Sequence, residues 1–176
     1  MPSLYHRVPS NMMGTTLYPL NTLRYKFPAI FAREERKYWD RSHLPRIVIP
    51  RLGCPWNDVL FLVAVHPEEY KKELKRARPP DCMFLRFFEI DVGTLDPSLL
   101  MVYLGRVGAD PKGVEQYETF SRYRLDINAK IPESTQRYWC DKIRHGEDFL
   151  LFQNIPQYLY RGEIDIQDCR IHEVRV

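Results

Sequence analysis

The run Phe149–Val176, FLLFQNIPQYLYRGEIDIQDCRIHEVRV, decides how the chain is read. It holds three short β-like segments broken by Asn-Ile-Pro, Arg-Gly and Gln-Asp, so it predicts closing strands. Its partner is the opening SLYHRV, Ser3–Val8, a short strand ended by Pro9. Proline has a fixed φ and no N–H, which suits a strand end or edge. Alternation puts Tyr5 and Arg7 on one face of that strand and His6 on the other, with Leu4 and Val8.

Between these ends, punctuation and periodicity predict the remaining elements. Ser10–Pro19 reads as a loop containing Gly14, and Asn21 caps a helical turn through TLRYKF. Pro28 suits the first position of a second helix, AIFAREERKYWDR, which runs to Arg41. His43–Leu52 is proline-punctuated and extended, and Asn57-Asp58 mark a turn. VLFLVAV, Val59–Val65, reads as a buried strand. Pro67 then starts a helix with Glu68 and Glu69 in its first turn and Lys75 and Arg76 in its last, and Pro79-Pro80 stop it. Cys82–Asp91 and Leu100–Leu104 are strands around a turn through Gly93 and Asp96-Pro97. Pro132–Arg144 is a helix closed by Gly146. Residues 105–126 are polar and Gly-interrupted, the most loop-like part of the chain and a candidate mobile lid. With no repeat, low-complexity tract or linker, residues 1–176 read as one α+β domain. Its sheet is expected to be mixed or largely antiparallel, with flanking helices.

Composition bounds the function classes. A 176-residue chain that is 44% hydrophobic and 13% aromatic can bury a core and does not resemble a disordered one. A net charge of +3 suits an anionic ligand and falls short of a dedicated nucleic-acid binder. Cys54, Cys82, Cys140 and Cys169 are scattered without a CxxC pair or a histidine at zinc spacing. Reduced thiols are therefore expected, with no metal and no disulfide framework. The opening MPSLYHRV has neither a basic n-region nor an apolar h-region, and VLFLVAV is too short to span a bilayer. The expectation is a cytoplasmic protein with no membrane partner. Walker-A, GxGxxG, HExxH and GxSxG patterns are absent, which argues against P-loop enzymes, Rossmann dehydrogenases, zincins and α/β-hydrolases.

The candidate functional residues are few. His6 shares a face with Leu4 and Val8, as a hydrogen-bonded core histidine or as a donor facing a cleft. Arg33, Lys37 and Arg41 fall at i, i+4 and i+8 of the expected helix. Like charges so stacked cost about 0.2–0.5 kcal/mol per pair, so the stripe reads as a solvated face or as an anion site. Trp56-Asn57-Asp58 is a turn, or a polar pair beside an indole that offers a stacking face. Gln157 and Glu163 are loop residues or acceptors for ribose hydroxyls.

Three pieces carry a resemblance to a known family: LYHRV (Leu4–Val8), FFEIDVGTLD (residues 87–96) and IPQYLYRGEIDIQDCRIHEV (Ile155–Val174). In this order they resemble small bacterial domains of the ADP-ribosyltransferase-like superfamily. The resemblance covers under half of the chain. It implies a split β-sheet with a cleft for NAD between its halves. It also implies that the protein transfers or hydrolyses ADP-ribose, with protein, nucleic acid or water as acceptor; a non-catalytic nucleotide- or nucleic-acid-binding domain, or a protein-interaction domain, on the same fold is the alternative. Carried over by position, His6 orients the cofactor, or Arg7 if the face is reversed. Tyr18 is the aromatic beside nicotinamide, and Gln157, or Glu163 in a shifted register, takes the acidic position. Arg7 and the Arg33/Lys37/Arg41 stripe would neutralise the pyrophosphate, with Trp56 and Asn57 lining the pocket.

Overall fold

A computed structural model of the chain describes residues 2–77, 82–106, 110–121 and 124–176. The first half contains β1 (Ser3–Arg7), β2 (Thr16–Leu17), α1 (Leu20–Lys26), α2 (Pro28–Glu34), β3 (Val48–Ile49), β4 (Cys54–Pro55) and β5 (Leu60–Val63). Next come α3 (Pro67–Ala77), β6 (Phe84–Asp91), β7 (Leu100–Tyr103), β8 (Tyr117–Thr119) and α4 (Glu133–Arg144). The closing strands are β9 (Gln157–Tyr160), β10 (Ile164–Asp165) and β11 (Ile171–Arg175). Seven strands form one sheet in the order β11-β6-β1-β5-β9-β7-β8, with β10-β2 and β3-β4 as separate small ladders. Every registered pairing is antiparallel. This is a single α+β domain, as the sequence predicts.

Pairing across the sheet is uneven. β1 runs against β6 along its whole length, from Ser3 opposite Asp91 to Arg7 opposite Phe87. Likewise β5 pairs with β9 from Leu60–Tyr160 to Val63–Gln157. Between β1 and β5, among the described residues, Tyr5 opposite Val63 is the one registered pair. The sheet therefore has a seam at its centre, and His6 and Arg7 lie on the side of the seam where β1 leaves β5.

Alternation sorts the two faces. Leu4, Leu60, Leu62, Phe88, Ile90, Tyr158 and Tyr160 bury on one face against Leu17 of β2, Ile164 of β10 and Ile166 just after it. On the other, Tyr5, Val63, Leu85, Phe87 and Val174 pack on α3 and α4 through Tyr70, Leu74 and Trp139. A third cluster, Ile47, Ile49, Cys54, Trp56, Met101, Tyr117 and Leu159, covers the β7–β9 side of that second face. Between the second and third clusters the sheet is left open.

Several local expectations change in the structure. The helix expected to run to Arg41 is α-helical only to Glu34; Glu35–Arg41 is a 3-10 helix. Asn21 does not cap α1, whose N-cap is Pro19. Its Nδ2 instead donates to Asp58 Oδ1 at 2.6 Å. Residues 105–126 are not one long loop, because Tyr117–Thr119 pairs with β7 as an edge strand. Tyr117 is buried beside Tyr103, and its hydroxyl donates to the Pro111 carbonyl at 2.8 Å. Residues 107–109 and 122–123 of the expected lid, and Pro79-Pro80 after α3, lie outside the described residues. Among the described residues no helix is long and apolar enough to cross a membrane.

Candidate functional site

Where β1 parts from β5, a cavity of about 130 Å³ opens between the sheet seam and the α1–α2 layer. Its apolar walls include Leu17, Leu20, Leu23, Phe27, Ile30, and Leu60. The polar side chains on its lining are His6, Asn11, Thr16, Glu34, Lys37 and Asn57, with Tyr18 and Tyr38. It adjoins a wider groove of about 880 Å³ on the open part of the second face. His6, Glu34, Lys37, Tyr38 and Phe61 border both spaces, so the two meet at the seam.

The hydrogen bonds left unmade mark the cavity more sharply than its shape does. Among the described residues five buried side-chain atoms lack a partner: His6 Nδ1, Asn11 Nδ2 and Oδ1, Asn57 Oδ1 and Tyr70 Oη. Four of the five belong to three residues lining this one cavity. Buried polar groups are nearly always paired, and each one left unpaired costs about 1–3 kcal/mol.

Local structure explains how these groups arrive together. His6 stands on β1 at the seam. Asn57 lies in the 3-10 turn Trp56–Asp58 that enters β5. That turn is held from both sides: Trp56 N–H donates to the Ile47 carbonyl at 2.9 Å, and Asn21 of α1 grips Asp58. The residue is only 7% exposed. Asn11 comes from the loop after β1. Burial pushes the His6 imidazole down to about 4, opposed in part by the Arg7 backbone and reinforced by the charge of Lys37. His6 is therefore neutral at physiological pH, a single-proton donor and acceptor. Burial also pushes the Tyr38 phenol up, against Arg41 and a hydrogen bond with Trp56.

The other expected residues divide. Tyr18 lines the cavity; its ring lies 6.1 Å from Phe27, and the Lys26 ammonium stands 4.5 Å from its centroid. Glu163 lies outside both the cavity and the groove, 48% exposed, with its carboxylate 3.8 Å from Lys26. Gln157 sits opposite Val63, which is opposite Tyr5, so it takes the Tyr5 face, whereas alternation gives His6 the other. Both nevertheless border the groove, because the groove runs up to the seam.

The cation stripe does not survive as a stripe. A 3-10 helix turns 120° per residue, so Lys37 and Arg41 stand about 120° apart rather than in line. Lys37 pairs with Glu34 at 3.6 Å and Arg41 Nη2 donates to the Lys37 carbonyl at 3.1 Å. Lys37, Arg41 and Arg7 line the groove; Arg33 lines neither space. Trp56 borders the groove but offers no open stacking face. It is 6% exposed, with Phe61 and Tyr103 rings each 5.1 Å away.

Two residues escaped sequence reasoning. Asn11 looked like ordinary loop, and its one signal was an amide directly after a strand end. Glu34 carried no signal of its own among its basic neighbours, yet among the described residues it is the one carboxylate on the lining of either space. Among the described residues no group of three or more His, Cys, Asp or Glu is placed to hold a metal ion. Comparison with protein-family models, curated proteins and solved structures gives no match to this chain.

Proposed function

We propose that the protein binds NAD at the seam and transfers ADP-ribose to an acceptor or to water. The nicotinamide ring occupies the cavity, and the pyrophosphate and adenosine extend into the groove. The observation that carries this reading is the gathering of unpartnered polar atoms of His6, Asn11 and Asn57 around one cavity. A polar aromatic ring with both donors and acceptors would satisfy them once their side chains turn into the cavity, since each of these atoms is sealed from solvent in this structure. At about 130 Å³ the cavity is near the size of an engineered ~150 Å³ cavity that accepts benzene. The groove, about 880 Å³, falls within the usual ~300–1,000 Å³ of ligand pockets. Arg7, Lys37 and Arg41 on its wall supply countercharge for a pyrophosphate.

In the proposed reaction the bond from ribose C1′ to the ring nitrogen breaks, its electron pair leaving with nicotinamide. An acceptor or water oxygen bonds to C1′ and loses its proton. The chain's part is electrostatic and positional. Neutral His6 holds the ring side without adding positive charge next to a developing cation. Glu34, at the junction of cavity and groove, becomes the carboxylate that favours that cation when Lys37, now 3.6 Å from it, turns to the pyrophosphate.

The rival reading is nucleotide binding without transfer. It draws support from Gln157 and Glu163, neither of which brings a carboxylate to the cavity. Thermal-shift titration with NAD, paired with chromatography for free nicotinamide, separates the two. A saturating rise with nicotinamide release supports transfer or hydrolysis, and a rise without release supports the rival. No rise at millimolar NAD removes NAD binding, with or without transfer.

A further inference from the structure

The α1–α2 layer presents an outer surface that the cleft does not use. From Arg24 to Arg46 the chain carries seven Lys or Arg against three acids, while the whole protein has a net charge of +3. This segment therefore carries a local positive excess. Exposed aromatic surface concentrates there too. Tyr25 of α1 is 82% exposed and Trp39 of the 3-10 stretch 71%, and neither belongs to a core cluster.

Cations and rings in this layer are interleaved by contact. The Arg24 guanidinium lies 4.7 Å from the Phe31 centroid and that of Arg36 5.9 Å from Trp39. Lys37 is 5.5 Å from Tyr38. Exposed rings set among cations supply both elements by which proteins hold single-stranded nucleic acid: planes on which bases stack, and charge that tracks the phosphates. An acidic peptide would use the cations and leave the rings idle. A duplex keeps its base faces hidden. Two nearly bare aromatic rings thus favour an unpaired strand.

We infer that the α1–α2 layer, with the following 3-10 stretch, is a docking surface for single-stranded nucleic acid. Tyr25 and Trp39 stack on bases, and Arg24, Arg33 and Arg36 contact phosphates. Lys37, Tyr38 and Arg41 continue from this segment into the groove wall, so a docked strand lies beside the cleft. The inference concerns binding and stands independently of the NAD reading.

The test is fluorescence anisotropy of the full chain with a labelled 12-nucleotide mixed-sequence single strand, as DNA and as RNA. The same sequence as a duplex and a poly-glutamate peptide are the comparison ligands. The single strand should bind best. Its affinity should fall with salt along a log–log slope of about −2 to −4, as expected for three to five phosphates at ~0.7 each. Tyr25→Ala/Trp39→Ala should weaken it at least tenfold with the melting temperature unchanged, since both rings are exposed. Arg24→Gln/Arg36→Gln should flatten the salt slope. The inference is overturned by no binding at 50 mM salt, by equal affinity for the duplex or the peptide, or by indifference to the aromatic double variant. A thermal shift with NAD measured on the same variants keeps the two proposals separable, because neither ring lines the cavity or the groove.

Discussion

Replacing Asn57 by Leu should make the ligand-free protein more stable while removing its response to NAD. Asn57 is 7% exposed and its Oδ1 is buried without a partner. Such an unmet acceptor costs about 1–3 kcal/mol, and a leucine of similar outline removes it. The new methyl groups would meet the apolar part of a lining that includes Val59 and Leu60. Part of the gain is lost to imperfect fit, leaving about 1–2 kcal/mol. For a domain of this size that corresponds to a melting temperature roughly 2–8 °C higher. Wild type should gain about 2.7 kcal/mol from NAD at a hundred times its dissociation constant, and the variant should gain nothing. Differential scanning fluorimetry of both proteins, with and without NAD, reads all four numbers. The reasoning fails if the ligand-free variant melts below wild type and still shows the full NAD shift. Stability raised at a binding residue is the usual mark of a site held in an unfavourable state for function.

Other substitutions and conditions test separate parts of the account. His6 is held neutral, with a folded value of about 4 against 6.5 unfolded. Its contribution is therefore whole above pH 6.5 and lost as pH falls towards 4, a difference of roughly 3 kcal/mol. Urea melts from pH 7 to 4 should show that loss diminished in His6→Gln, whereas an imidazole NMR signal titrating near 6.5 would contradict it. Glu34→Gln should lower nicotinamide release at least tenfold, about 1.4 kcal/mol of barrier, while the NAD shift persists. Glu163→Gln should change release less than threefold, and the opposite ranking in a release assay would return the acidic role to the late strand. A Cβ on Gly162 would stand 2.7 Å from Cε1 of the buried Tyr160 ring, so Gly162→Ala should cost about 1–3 kcal/mol in a denaturant melt. An unchanged midpoint would mean that the ring gives way.

The site was only half legible from the residues. His6, Tyr18, Lys37 and Asn57 do line the cavity, but the reason they matter is absent from their local sequence. An asparagine in a turn normally hydrogen-bonds its own backbone, which is the reading the Trp56-Asn57-Asp58 turn invites. Here the turn is closed by other partners, Asn21 and the Ile47 carbonyl, and Asn57 Oδ1 is left unmet. The Arg33/Lys37/Arg41 spacing misled because it assumed 3.6 residues per turn through a stretch that winds at 3.0. Trp56 misled in another way. An indole next to polar residues looks available, and only the packing of Phe61 and Tyr103 against it shows that it is spent on the core.

Strand and helix identity came from short-range chemistry that the sequence alone determines. Alternation marked β1, an apolar run marked β5, and proline at the first turn with charges matched to the helix dipole marked α3. These signals act within a few residues, so they can be read in order along the chain. The strand order β11-β6-β1-β5-β9-β7-β8 and the seam between β1 and β5 could not be read that way. Pairing partners are set by burying whole faces at once, a sum over residues as distant as Leu4, Ile90 and Tyr158. The same long-range closure brings Asn11 from one loop and Asn57 from another to His6 and encloses them without partners. Only the tertiary structure decided that, because an unmet hydrogen bond is a property of what surrounds a group.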